Sequence, residues 1–278
     1  MRKRQFEMSS QERINALFKR EPVDCVAYVH RGYGFSAKNT GFAVADIYEH
    51  PDKSFEAQMR TIEQYNSDGT PHYTFVAYGS WEFGGDIEWP DDRLGSGPTV
   101  ARRPVQDPED VLKLELPDVT RAGAIPKMME FARIQEKHGQ PISFVCGSPF
   151  THAANLCGVD KFLLWVAMYP EVVHQAMRLM TDHILQVAEY FISTFGRGRV
   201  IARSAAPTDG LVSAKHFREF ILPYLTELHS KVLEMGADHI YCHICGEQNH
   251  LLDLWAQVPF GDPGMLSFGH EVDLLKAA

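Results

Sequence analysis

From residue 123 to residue 268 the chain alternates between helix-like and strand-like text, and this rhythm constrains the fold more than any single motif. Helical periodicity is predicted at 123–138, within 150–168, at 170–195, at 213–235 and near 248–257. Strands are predicted between them at Ile142–Cys146, Arg199–Ser204, 238–243 and Met265–Phe268. Strands separated by helices line up in parallel, with the helices packed outside the sheet. In the longest helix Val172, Val173, Ala176, Leu179, Met180, Val187 and Phe191 recur at helical spacing, the stripe of a core-facing surface rather than a cofactor contact. No internal repeat is visible.

Ahead of this region, Ser9 or Ser10 caps a helix running through Lys19, with Ile14, Leu17 and Phe18 on one face. Glu21-Pro22 ends it before a predicted strand, Val23–Val29, and a second helix at 53–65 leads to a strand at His72–Ala77. Between Tyr78 and Asp118, Gly79, Gly84, Gly85, Gly95 and Gly97 alternate with Pro90, Pro98, Pro104, Pro108 and Pro117, which marks a long elaborated loop. The expectation is an α/β fold, a TIM (β/α)8-type barrel, as one domain over residues 1–278 with that loop at about 78–118. About six strands are legible where a closed barrel has eight, and the text ends at Asp273–Ala278 in what reads as a new helix. The barrel is therefore expected to lack its last βα units in this chain, leaving uncovered strand edges: either the sequence is a clipped piece, or another chain completes it, with a homodimer as one candidate.

A length of 278 residues suits one such barrel, and 45% apolar with 23% charged residues excludes a disordered chain. A net charge of −9 opposes binding to nucleic acid or to an anionic membrane, both of which need a positive surface. The longest apolar run, Phe162–Met168, is far short of the ~20 residues that span a bilayer. The basic start, Met1–Glu7, is followed by polar residues and not by the apolar core of a signal peptide, so a cytoplasmic location is expected. Five scattered cysteines are too few for a disulfide framework and read as free thiols.

The sharpest chemical signal is His243-Ile244-Cys245-Gly246, which follows the strand-like run Asp238–Cys242. Successive strand residues alternate between faces, so His243 and Cys245 are expected on one side, with Ile240, Cys242 and Ile244 on the other. Two soft metal ligands then converge on one ion, although a bare H-x-C also recurs by chance. Reacting groups of parallel barrels sit where strands turn into loops. Those places hold His30-Arg31-Gly32-Tyr33, Tyr78 to Gly85 including Glu82, Cys146 to His152, and Ser204 to Asp209. Asp209, Glu82 and His152 are the candidates for contacts to substrate or to the metal ligands. Each also has a plainer reading: Asp209 as a turn cap before Ser213, Glu82 as a solvated turn residue, His152 and His30 as hydrogen-bonded loop histidines. Cys146, Cys25, Cys157 and Cys242 read as small core residues.

Ser9-Ser10-Gln11-Glu12-Arg13-Ile14 through Arg20-Glu21-Pro22-Val23-Asp24 resembles the opening of the uroporphyrinogen decarboxylase superfamily, as does Leu211 to Tyr224. His243-Ile244-Cys245-Gly246 is similar to its corrinoid-dependent methyltransferase branch, and the resemblance runs from about residue 8 to the end. It implies a (β/α)8 barrel in which Zn2+, held by His243, Cys245 and a later cysteine, binds an acceptor thiol. That thiol takes a methyl group from methylcobalamin presented by a corrinoid partner protein. The third ligand would fall beyond Ala278, and Gly269 stands where some members carry a glutamate, with His270 or Glu271 as substitutes. The decarboxylase branch resembles itself in an arginine-rich loop after the first strand. Here His30-Arg31-Gly32-Tyr33-Gly34 offers one arginine and no obvious second cation for a polycarboxylated tetrapyrrole. A metal-free decarboxylase-like lyase and a non-catalytic module docking a corrinoid protein are the competing expectations.

Overall fold

A computed structural model describes residues 7–75, 77–91, 97–206 and 208–277. Val76 of the predicted 72–77 strand, Gly95, Pro207, Met1–Phe6 and Ala278 lie outside the described residues.

The alternating region folds as a parallel sheet of four strands in the order β3-β4-β5-β6: β3 Ile142–Val145, β4 Val200–Ala205, β5 Ile240–Ile244 and β6 Met265–Phe268. Before it, β1 (Asp86–Glu88) and β2 (Thr99–Arg102) form an antiparallel pair inside the predicted long loop. Three helices, Pro149–Cys157, Val159–Met168 and Pro170–Phe195, cross from β3 to β4. Proline opens the first and third, where its missing N–H is not needed, and positive-φ Gly158 and Gly196 stop the first and third. Val173, Ala176, Met180, Val187 and Phe191 of the long helix are buried on the sheet side, as their spacing predicts.

The predicted 213–235 helix is interrupted. Ser213 caps Ala214–His216, a π turn follows at Phe217–Ile221, and a regular helix resumes at Leu222–Met235. Pro223 is the physical reason, because it supplies no N–H to the helical ladder at that point.

The first two predicted strands join no ladder among the described residues, so the eight-stranded expectation is met there only as a mixed α/β fold with a parallel sheet. Between these two extended stretches Asp68 N donates to Tyr28 O at 2.6 Å, and side chains make the bonds around it. Tyr28 N donates to Asp68 Oδ2 at 2.9 Å, and His30 N to Ser67 Oγ at 2.9 Å. Arg13, on the Ser10–Phe18 helix capped by the Ser9/Glu12 box, forms buried ion pairs with Asp24 and Asp68. The residues that carry the family resemblance at this end thus pin the first helix to both stretches. Two short helices, Tyr33–Thr40 and Val44–Glu49, were not predicted; neither is long enough to show a periodic stripe, and neither has a side-chain cap. Among the described residues no helix is long and apolar enough to cross a membrane.

Candidate active site

Burial along β5 alternates as the sequence requires: Ile240, Cys242 and Ile244 are fully buried, while Tyr241 and His243 are half-buried. Cys245, the next residue of the same parity, is also half-buried. The parallel register sets Arg203 beside Tyr241 and His243 beside Ser267, so one face of three strands carries Ile201, Arg203, Tyr241, His243, Met265 and Ser267. This face lines a cleft of about 1030 Å3 that Arg31 and Thr70 close from the first two extended stretches.

His243 Nδ1 lies 2.7 Å from Ser267 Oγ, which also lies 2.9 Å from the Tyr241 hydroxyl. With Nδ1–H donating to Ser267, the lone pair of His243 is left on Nε2. Burial, and then the charge of Arg31, lower the pKa of His243, so the imidazole is neutral at neutral pH. Burial, and then Glu271, raise the pKa of the Cys245 thiol. A neutral imidazole and a thiol that does not ionise unaided suit a divalent soft-metal site, because a bound cation deprotonates a coordinating thiol. They supply two ligands; among the described residues no group of three or more His, Cys, Asp or Glu side chains is gathered to hold a metal.

Glu82, His152 and Asp209 lie elsewhere, and none of them lines the cleft. The Glu82 carboxylate is buried and accepts from Gly79 N at 2.6 Å and Ala124 N at 2.9 Å. Burial pushes its carboxyl up to about 7 against those two bonds. Asp209 is buried and accepts from Ser148 Oγ at 2.6 Å and Thr151 Oγ1 at 2.8 Å, with burial raising it to about 6. His152 packs edge-on to Tyr78 with ring centroids 4.8 Å apart, and burial holds it neutral, with its pKa lowered to about 4. The structure therefore brings Asp209 together with the start of the helix after β3, and His152 together with Tyr78. Glu82 and Asp209 tie separate segments together through hydrogen bonds, whereas His152, on the Pro149–Cys157 helix, packs its ring on Tyr78. Cys146, Cys157 and Cys242 are buried, and all five cysteines are free.

Sequence reasoning missed the second cation. Arg203 enters the cleft from β4, and Arg31 and Arg203 lie 4.4 Å and 5.4 Å from the Tyr241 ring centroid. The expectation of one arginine and no further cation is thereby corrected: the two come from distant parts of the chain and meet only through the sheet. One signal was available, since an arginine inside a strand of a parallel sheet breaks the near-continuous apolar run such strands show.

The uroporphyrinogen decarboxylase (URO-D) family model matches residues 9–278. A methylated-thiol–coenzyme M methyltransferase of Methanosarcina mazei is 26% identical over 174 residues, 60% of this chain and 43% of the relative. A uroporphyrinogen decarboxylase of Salinibacter ruber is 23% identical over 234 residues, 80% of this chain and 64% of the relative. One of Danio rerio is 24% identical over 168 residues, 56% of this chain and 44% of the relative. The chain thus spans from 43% to 64% of the length of these relatives. Among solved structures, a methyltransferase from Methanosarcina mazei superposes with a TM-score of 0.74 at 23% identity, covering 94% of this chain and 76% of that one, which establishes a shared fold.

Proposed function

Because the chain belongs to the uroporphyrinogen decarboxylase family, we propose that it is a zinc-dependent methyltransferase that moves a methyl group from methylcobalamin on a corrinoid partner protein to a thiol or similar acceptor. The observation that carries this reading is His243 on the cleft face of β5, its imidazole oriented by Ser267, with the half-buried Cys245 at the next position of the same parity just past the strand. The Methanosarcina mazei relative, a methylated-thiol–coenzyme M methyltransferase, supports the same reaction class.

His243 and Cys245 would hold the zinc, which when bound stabilises a coordinated thiolate, the nucleophilic form, at neutral pH. Ser267 fixes the imidazole tautomer, and Tyr241, bonded to the same hydroxyl, holds Ser267 in place. The cleft beside them is large enough for a small acceptor and opens along the strand face that carries both orienting residues. Glu82, Asp209 and His152 act by shaping the loops around this end of the sheet and not by touching the acceptor. The domain is a single barrel unit whose elaborated loop carries the β1–β2 pair.

The second reading, a metal-free decarboxylase-like lyase, is favoured by one observation: the Arg31 and Arg203 cations in the cleft suit a carboxylated substrate. Metal analysis separates the two. Protein purified without chelator is expected to carry about one zinc per chain, lost in His243→Ala and in Cys245→Ser. Equal trace metal in the parent and both variants would overturn the methyltransferase reading.

A further inference from the structure

Gln248 is fully buried in the loop that follows β5. Its Nε2 donates to the Cys245 carbonyl at 3.0 Å, and its Oε1 accepts the Trp255 indole N–H at 2.8 Å. An indole only donates and a carbonyl only accepts, so the amide is held in this one orientation. Trp255 is itself fully buried, its ring edge-on to that of Phe217 with centroids 5.2 Å apart, at the start of the π turn. From the other side Gly210, in the loop after β4, packs directly on the amide: a Cβ there would lie 2.6 Å from Gln248 Nε2. The amide thus joins the Cys245 backbone to the core and to the neighbouring loop.

His243 and Cys245 are held by different means. His243 lies within β5, where its carbonyl accepts Ala206 N at 3.0 Å and its ring is fixed by Ser267. Cys245 lies one residue past the strand, and Gly246, at φ +74°, turns the chain away immediately after it. Gly269 N bonds to the Ile244 carbonyl at 3.0 Å, one peptide before that of Cys245. The next carbonyl is the one that Gln248 takes. Holding it fixes the peptide plane attached to the Cys245 Cα, and with it the direction in which the thiol leaves the chain. A zinc–sulfur bond of about 2.3 Å tolerates little error in that direction. We propose that Gln248 is the positioning residue for Cys245, setting the thiol in its metal-binding orientation before any metal arrives. The inference rests on the zinc reading above for what the thiol binds. A side-chain bond to a carbonyl three residues back also steadies a turn, so the experiment must separate orientation of the thiol from stability of the loop.

Three variants make the separation. Gln248→Met keeps the length and packing of the side chain and loses both bonds, whereas Trp255→Phe loses the indole bond alone. Gly210→Ala drives a Cβ against the amide from the neighbouring loop, and the three atoms nearest that Cβ all belong to Gln248, so it remains informative if Gln248→Met folds poorly. Alkylation of the metal-free protein by iodoacetamide is followed at Cys245 and at Cys242 by mass spectrometry. Cys242 is fully buried in the same strand and reports unfolding of the strand itself. Gln248→Met and Gly210→Ala should speed alkylation of Cys245 relative to Cys242 by about five- to tenfold, the change that follows loss of one hydrogen bond, and Trp255→Phe should change it less. Cobalt(II), added as the metal probe, should give the parent a sulfur-to-cobalt charge-transfer band that Cys245→Ser lacks. Gln248→Met and Gly210→Ala are expected to weaken cobalt binding about tenfold and to diminish that band. A bond that served stability alone would lower the melting temperature and leave both readings where they were. An unchanged alkylation ratio in both variants would overturn the inference, as would a raised ratio with undiminished cobalt binding. A parent that shows no band while the ratio still rises would overturn the zinc reading and leave Gln248 as the residue that holds Cys245.

Discussion

His243 and Ser267 stand opposite one another on β5 and β6 with 2.7 Å between Nδ1 and Oγ, so the neighbouring strand fixes the orientation of the imidazole. Ser267→Ala is expected to weaken zinc binding by about 10–100-fold without removing a ligand. His243→Ala should weaken it further. Competition against a chromophoric chelator measures both, and an unchanged affinity in Ser267→Ala would show that the hydroxyl does not orient the ligand.

Two buried carboxyls predict how stability depends on pH. Burial raises Glu82 from an ordinary 4.5 to about 7 and Asp209 from 3.8 to about 6. Between the lower and upper values the folded chain holds a proton that the unfolded chain has released, so stability is full at acid pH and is lost as pH rises through this window. The Glu82 part is on the order of 3 kcal/mol. Buried histidines such as His152, His183 and His229, held at about 4, 3 and 4, pull stability the other way over the same range, so the carboxyl is read by difference: urea unfolding at about pH 5 and about pH 8 should show Glu82→Gln gaining stability relative to the parent as pH rises. The same pH slope in the parent and in Glu82→Gln would refute the assignment.

Gly147 sits at φ +65°, and a Cβ there would fall 1.6 Å from His152 Nε2. Gly139, at φ +63°, has open space around the same position. Both alanine variants incur left-handed backbone strain of about 1–3 kcal/mol. Gly147→Ala must in addition displace a buried histidine ring, so its melting temperature should fall clearly below that of Gly139→Ala. Equal melting temperatures would mean that His152 is not packed on Gly147.

Arg203 is a half-buried cation close to Arg31, held by Thr70 Oγ1 at 3.2 Å and by the Tyr241 ring. Arg203→Leu keeps the aliphatic packing and removes the repulsion from Arg31, so it is expected to stabilise by about 1 kcal/mol. Thermal unfolding reads the effect. A variant less stable than the parent would show that the contacts to Thr70 and Tyr241 outweigh the repulsion.

The fold was legible where local physics repeats itself. The 170–195 stripe, the Met265–Phe268 strand and the Ser9 cap all depend on residues a few positions apart, and the structure has each of them. The first two predicted strands were not legible as they stand, because the N–H groups of Tyr28 and His30 go to the Asp68 and Ser67 side chains, and the backbone of His72 bonds to the Gln58 and Tyr33 side chains, in place of a ladder. At the site, Glu82, His152 and Asp209 stood out as polar residues at loop positions, but sequence has no measure of which way a loop side chain turns. The structure buries all three, Glu82 and Asp209 in hydrogen bonds and His152 on a helix against Tyr78.

By itself the sequence determined the two faces of β5, because strand geometry has a period of two and Ile240 through Cys245 obey it whatever surrounds them. It also determined that helices would separate the four parallel strands. Only the tertiary structure decided that Ser267 would hold His243 and that Arg31 and Arg203 would share the Tyr241 ring. Those pairings depend on parallel register and on where the first extended stretches close over the sheet, which are set by packing between segments far apart in the chain and leave no periodic mark within any one of them.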